Sequence, residues 1–160
     1  MKQIHLLPPP SLFFGGGLEA DPKRSQRILS TKLPTHLVLK SKPTFKLFKN
    51  KSIIEEILKK QAKKFGVKIY GLSVQKDHIH LNIRIFSRIT YKAFIRAVTG
   101  LIARKLGCGI WKFRPFTRIV KWGRPFEILK KYILQNELEI KDIIPYQERR
   151  HKYRSRKAPL

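Results

Sequence analysis

"VKIYGLSVQKDHIHLNIRI", residues 67 to 85, carries two runs that alternate apolar and polar residues around the short link Gln75 to Asp77. Side chains of a strand point to opposite faces with period two, so each run reads as a strand, and so short a link makes the pair a hairpin. In the second run Ile79, Leu81, Ile83 and Ile85 share one face. His78, His80, Asn82 and Arg84 share the other. One side of this strand belongs to a core, and the other sets two imidazoles side by side beside an amide and a guanidinium.

Outward from the hairpin, "THLVLKSK" (35 to 42) reads as a strand in which Leu37 and Leu39 oppose His36, Val38 and Lys40. A helix is expected between these strands. Its start is a capping box of Ser52 and Glu55, its apolar stripe is Ile54, Ile57, Leu58, Ala62 and Phe65, and Gly66 stops it. A second helix is expected over 90 to 107, with Phe94, Val98, Leu101 and Ile102 turned inward. Gly100 inside it costs about 1 kcal/mol against alanine, which suggests a close backbone approach there. "FTRIVKW" (116 to 122) is a fourth strand, and a last helix runs from about Pro125 to Leu138.

The order strand–helix–strand–strand–helix–strand is that of the ferredoxin-like split βαβ arrangement. The fold class is therefore α+β: a four-stranded antiparallel sheet with helices on one face, the other face left open, and an added C-terminal helix. Residues 34 to 145 form this domain. Residues 1 to 33, with Pro8 to Pro10 and Gly15 to Gly17, read as an irregular basic arm, and 146 to 160 as a basic tail without regular structure.

Charge is the dominant feature of the composition. Among 160 residues, 36 Lys+Arg against 10 Asp+Glu give a net +26, which calls for a polyanionic partner. Nucleic acid fits better than a membrane, because no helix joins a basic face to a strong apolar anchor and no run approaches the roughly 20 apolar residues of a span. The prolines in "MKQIHLLPPPSLFFGGG" argue against a signal peptide, and the lone Cys108 excludes an internal disulfide. A cytoplasmic, bacterial-type, nucleoid-associated location is the expectation.

His78 and His80 can share a divalent cation, or serve as surface histidines that add stacking and some charge to a nucleic-acid-binding sheet. In the last helix Tyr132 and Asn136, four residues apart, share a face at the shoulder of the apolar stripe Phe126, Leu129, Ile133 and Ile140. If that stripe packs on the sheet, the phenol and the carboxamide overlook the imidazoles. Arg84, Lys112, Arg114 and Arg118 are expected phosphate contacts. Trp111, Phe113 and Phe116 are expected either to stack unpaired bases or to close the edge of the core.

Together "DHIHLNI" and "YILQNELE" resemble the His-hydrophobic-His motif and the nucleophile helix of the single-tyrosine HUH transposases, a family that includes insertion-sequence and REP-associated tyrosine transposases. The likeness runs from "PTHLVLKSK" to "NELEIKDIIPY". It implies a metal-dependent enzyme that cuts and joins single-stranded or hairpin DNA through a 5′-phosphotyrosine. Tyr132 would be the nucleophile, and His78, His80 and Asn136 would be the metal ligands, with Gln135 and Glu137 as alternatives for the third. Glu137 stands where the REP-associated branch usually has proline. The implied cofactor is Mg²⁺ or Mn²⁺, Zn²⁺ being admissible on ligand chemistry alone. The implied partners are DNA and, as a homodimer, a second copy of the chain. Tyr91 and Tyr146 are the next tyrosines to consider. The rival readings are a non-catalytic single-stranded nucleic-acid-binding protein, a structural zinc protein, and an HUH replication initiator or relaxase.

Overall fold

A computed structural model describes residues 13–16 and 27–148. Its elements in chain order are β1 (Phe13–Phe14), β2 (Thr35–Lys40), α1 (Lys51–Lys64), β3 (Lys68–Val74), β4 (His78–Arg84), α2 (Arg88–Leu106), β5 (Phe116–Ile119) and α3 (Arg124–Ile140). The sheet order is β1-β5-β2-β4-β3, with every pairing antiparallel. Without β1 it is the four-stranded split βαβ sheet expected from the sequence.

The apolar face of β2 and β4 supplies Leu37, Leu39, Ile79, Leu81 and Ile83, all essentially inaccessible. Against them pack Ile54 and Leu58 of α1 and Phe94, Val98 and Ile102 of α2, so the alternation within the strands and the helical stripes meet as one core. Tyr91, one turn before Phe94, is also buried there at 3% exposure, which removes it as a nucleophile. Its hydroxyl is pushed up to about 12 by burial, against the opposing pull of the nearby Arg27.

Four local expectations are corrected. The capping box does not form. A 3-10 turn over Leu47–Asn50 leads directly into α1, so Ser52 lies inside the helix, and Glu55 instead pairs with Lys51 and Lys59. Gly100 sits on an exposed helix surface with no atom within 4 Å of where a Cβ would be, so no close approach explains it. The N-terminal arm is not wholly irregular, since Phe13 and Phe14 pair with Arg118 and Thr117. Turn-forming residues exclude a long element there but not a two-residue bridge, and Gly15 follows at φ +77 against Pro115. The second face of the sheet is not open throughout, because α3 lies across β3 and β4. The tail beyond residue 148 lies outside the described residues.

The docking of α3 builds a second, smaller core of Val120, Phe126, Leu129 and Ile133, with Tyr70 and Tyr132 packed against it. Trp122 meets both Tyr70 and Phe126 and donates its indole N–H to the Lys32 carbonyl at 3.1 Å. A register shift between Ile69 and Gly71 leaves Tyr70 as the extra residue of a bulge. Gly71 then lies directly under the helix, where an added Cβ would be 3.5 Å from Ile133 Cγ2. Alanine fills that distance without a clash, whereas a larger side chain has to lift α3. Gly71→Ala is expected to fold with near-parental stability, while Gly71→Leu loses about 1–3 kcal/mol in urea unfolding through overpacking. Equal stabilities for the two variants would contradict this seat for the helix.

Candidate active site

Cross-strand register assembles the polar face. His80 of β4 is opposite Val38, and Asn82 is opposite His36, whose other neighbour is Arg118 of β5. His36 is the residue that sequence reasoning missed. The alternation of "THLVLK" had placed it on this face, but the register between strands that are not consecutive in sequence was needed to bring it to the histidine pair.

His36 Nε2 lies 3.1 Å from His80 Nδ1, and the two rings stack with centroids 5.2 Å apart. His78 Nδ1 lies 2.6 Å from the Asp77 carboxylate, and its ring stands edge-on to that of His80, centroids 4.7 Å apart. Each member of the pair therefore has its Nδ1 engaged by a neighbour, Asp77 for His78 and His36 for His80. Burial of Asp77 works to raise its carboxyl, but the hydrogen bond and charge of His78, with Lys40 adding, hold it below the ordinary value. His36 behaves differently. Burial, helped by Arg118 and His78, pushes its imidazole down to about 3, so it is neutral at physiological pH.

From above, α3 delivers Tyr132 and Asn136. The Tyr132 hydroxyl is 3.5 Å from His80 Nε2, and its ring meets His80 and His36 edge-on. Asn136 is 3% exposed, and its Nδ2 has no hydrogen-bond partner among the described residues. The two neighbours considered with it are turned elsewhere: Gln135 bonds Glu139 and Gln147, and Glu137 pairs with Lys51 and Lys141. Gln75, in the hairpin turn, donates to the Asn136 carbonyl at 2.9 Å and to Ser73 Oγ at 2.7 Å, tying helix to turn.

His78, His80, Tyr132 and Asn136 all line one cleft of about 790 Å³. None of the expected phosphate contacts lines it. In the α2–β5 loop Lys112 N–H bonds the Lys40 carbonyl at the His78 end of the sheet, Phe113 follows with the Lys112 ammonium over its ring, and the Arg114 carbonyl accepts from Gly16 N–H. Arg118 is next to His36, while Arg84 is at the far end of β4, its guanidinium over Phe86. Trp111 packs against the main core and donates to the Thr99 carbonyl, so of its two expected roles it takes the core-closing one. Phe116 stands edge-on to His36. No group of three His, Cys, Asp or Glu side chains suited to a metal occurs among the described residues.

Residues 30–129 match the family model described as "Transposase IS200 like", and the chain belongs to that family. The matched segment contains both histidines and ends three residues before Tyr132. No curated protein matches the chain. Among solved structures, a REP-associated tyrosine transposase bound to a REP hairpin aligns with TM-score 0.58 and 11% identity, over 75% of this chain and 74% of that one. A protein from Deinococcus radiodurans R1 described as a "putative transposase" aligns with TM-score 0.46 and 18% identity, over 71% of this chain and 98% of that one. The first likeness supports the fold.

Because His36 is buried neutral, its titration bears on stability. Unfolded, it takes a proton near its ordinary 6.5, but folded it does so only near about 3. The unfolded chain therefore binds more protons between those values, and this residue's contribution is intact above about pH 6.5 and falls with acid by about 1.4 kcal/mol per unit. In chelator-containing buffer, His36→Gln is expected to lose less stability between pH 7 and 5 than the parent protein. Equal losses would contradict a buried neutral His36.

Proposed function

We propose that the chain is a divalent-metal-dependent endonuclease and strand transferase that cuts and joins single-stranded or hairpin DNA through Tyr132. The observation that carries this reading is the 3.5 Å approach of the Tyr132 hydroxyl to His80 Nε2, in a cleft that also holds His78 and Asn136. Membership of the transposase family and the net charge of +26 agree with it. A structure of similar fold holds a REP hairpin, which makes hairpin DNA the first substrate to try.

The donor set suits a cation. His78 and His80, each held through Nδ1, and the buried carboxamide of Asn136, which would bind through its oxygen, offer an N, N, O arrangement. Such a mixed set favours Mn²⁺ over the oxygen-preferring Mg²⁺, with phosphate and water completing the shell in either case. The bound ion would supply Lewis acidity, drawing charge from a phosphate oxygen of the scissile group.

The remaining work falls to the chain. Tyr132 oxygen attacks the phosphorus, forming a phosphotyrosine bond as the bond to the 3′-oxygen breaks. Water in the open cleft takes the phenolic proton and supplies one to the departing 3′-oxygen. The covalent link keeps the phosphodiester energy, so a later 3′-hydroxyl reverses the step and joins strands without ATP. Asp77 and His36 hold the two imidazole rings. For His80 Nε2 to offer a lone pair, His80 carries its proton on Nδ1 and donates it to His36 Nε2, a role that requires a neutral His36.

Incubation with Mn²⁺ and labelled hairpin or single-stranded oligonucleotides, resolved on a denaturing gel, is expected to give a labelled protein band. Tyr132→Phe and His80→Ala each abolish it. A band that survives in Tyr132→Phe would refute the assignment. DNA binding without any band across a varied oligonucleotide set would favour the binding-only reading. Titration calorimetry should show Mn²⁺ affinity falling about 10–100-fold in His36→Ala, with His36→Gln recovering most of it, because the amide oxygen again accepts from His80. Unchanged affinity in His36→Ala would remove His36 from the site.

A further inference from the structure

The cleft has two chemically different sides. On the hairpin side stand Lys40 and Lys76, both exposed, with Asp77 already engaged by His78 and Lys40. On the side formed by the end of α3 stand Glu139, Asp142 and Tyr146. A phosphate chain is drawn to the first and repelled by the second. The helix side suits the other part of a nucleotide, whose base has a flat face and N–H donors.

Tyr146 is 74% exposed, yet the segment carrying it is fastened. After α3 the chain reverses through Asp142, which has φ +55, and Ile143 N–H bonds the Leu138 carbonyl at 3.0 Å. One residue beyond Tyr146, the Gln147 side chain accepts from Gln135 at 3.2 Å, and its backbone N–H donates to Glu139 at 3.4 Å. An exposed aromatic ring at the wall of a cleft that carries lysines on its other side is a platform on which a base can stack.

We propose that Tyr146 and the acidic residues beside it form a base-binding subsite, in which an unpaired base next to the scissile phosphate stacks on Tyr146 while the sugar-phosphate chain follows Lys40 and Lys76. This rests on the DNA-cutting reading above and adds to it a named platform, Tyr146, for the base of the nucleotide flanking the cut. Glu139, already accepting from Gln135 and Gln147, and Asp142 contribute negative charge that keeps the sugar-phosphate chain toward the lysines.

The test uses the full chain carrying Tyr132→Phe, so that no covalent capture intervenes, with two labelled probes of equal charge. One is a twelve-nucleotide oligothymidylate and the other a twelve-unit abasic strand. Tyr146→Ala should weaken thymidylate binding about tenfold and leave abasic binding unchanged, with Tyr146→Trp retaining the parental affinity. Lys76→Ala should weaken both probes alike. A thymidylate strand bearing 5-iodouracil should photo-crosslink to the peptide containing Tyr146. The proposal is overturned if Tyr146→Ala affects both probes equally or neither, or if crosslinks form only elsewhere. Loss of the subsite with an intact Tyr132 adduct would leave the cutting reading standing. Selective base binding without any adduct would do the reverse.

Discussion

The whole arrangement depends on α3 lying across the polar face of β3 and β4. Without it, His36, His80 and Asn82 would be wet residues on an open sheet, and Tyr132 would overlook nothing. The seat has two parts. Apolar contact through Phe126, Leu129 and Ile133 over Gly71 supplies the attraction. Polar fasteners then fix position along the helix: Gln75 to the Asn136 carbonyl, and Lys51 of α1 to Glu137. Burial of Glu137 works to raise its carboxyl, but Lys51 and Lys141 hold it below the ordinary value, so it stays ionised and paired at neutral pH. The residue that replaces the proline expected at this place thus ties the helix to its own domain.

Helix burial comes at an electrostatic cost, and where that cost falls is informative. Asn82 is fully buried with neither side-chain polar atom partnered among the described residues, and Asn136 Nδ2 is in the same condition. Unpaired buried amides cost about 1–3 kcal/mol each. A sheet built only for stability would carry apolar residues there, as its other face does. Both amides belong to the same helix–sheet junction as the histidines, and departures of this kind from packing rules are what the proposed catalytic role would call for.

Much of this was legible in the sequence, because period-two and period-3.6 patterns carry direct geometric information. "KDHIHLNIRIF" fixed both the strand and the face of its histidines, and the stripe around Tyr132 fixed how the helix would sit. What escaped notice required non-local information. His36 came to His80 through the pairing of β2 with β4, which no local pattern states. The cap at Ser52 failed because a 3-10 turn had already started the helix, and α2 starts at Arg88, two residues before the expected start, with the Ser87 hydroxyl accepting from Ile89 N–H. The resemblance alone favours Asn136 over Gln135 and Glu137; what no sequence pattern states is that Gln135 and Glu137 have other side chains as partners.

The central claim is that one chain's sheet and its own last helix make the site together. Mixing two inactive proteins tests this most directly: one with Tyr132→Phe and intact histidines, the other with His80→Ala and an intact tyrosine, beside the unaltered active protein. A site assembled within each chain predicts no phosphotyrosine product from the mixture at any ratio. Recovery of the product on mixing would mean that the helix serves a neighbouring copy, contradicting the account.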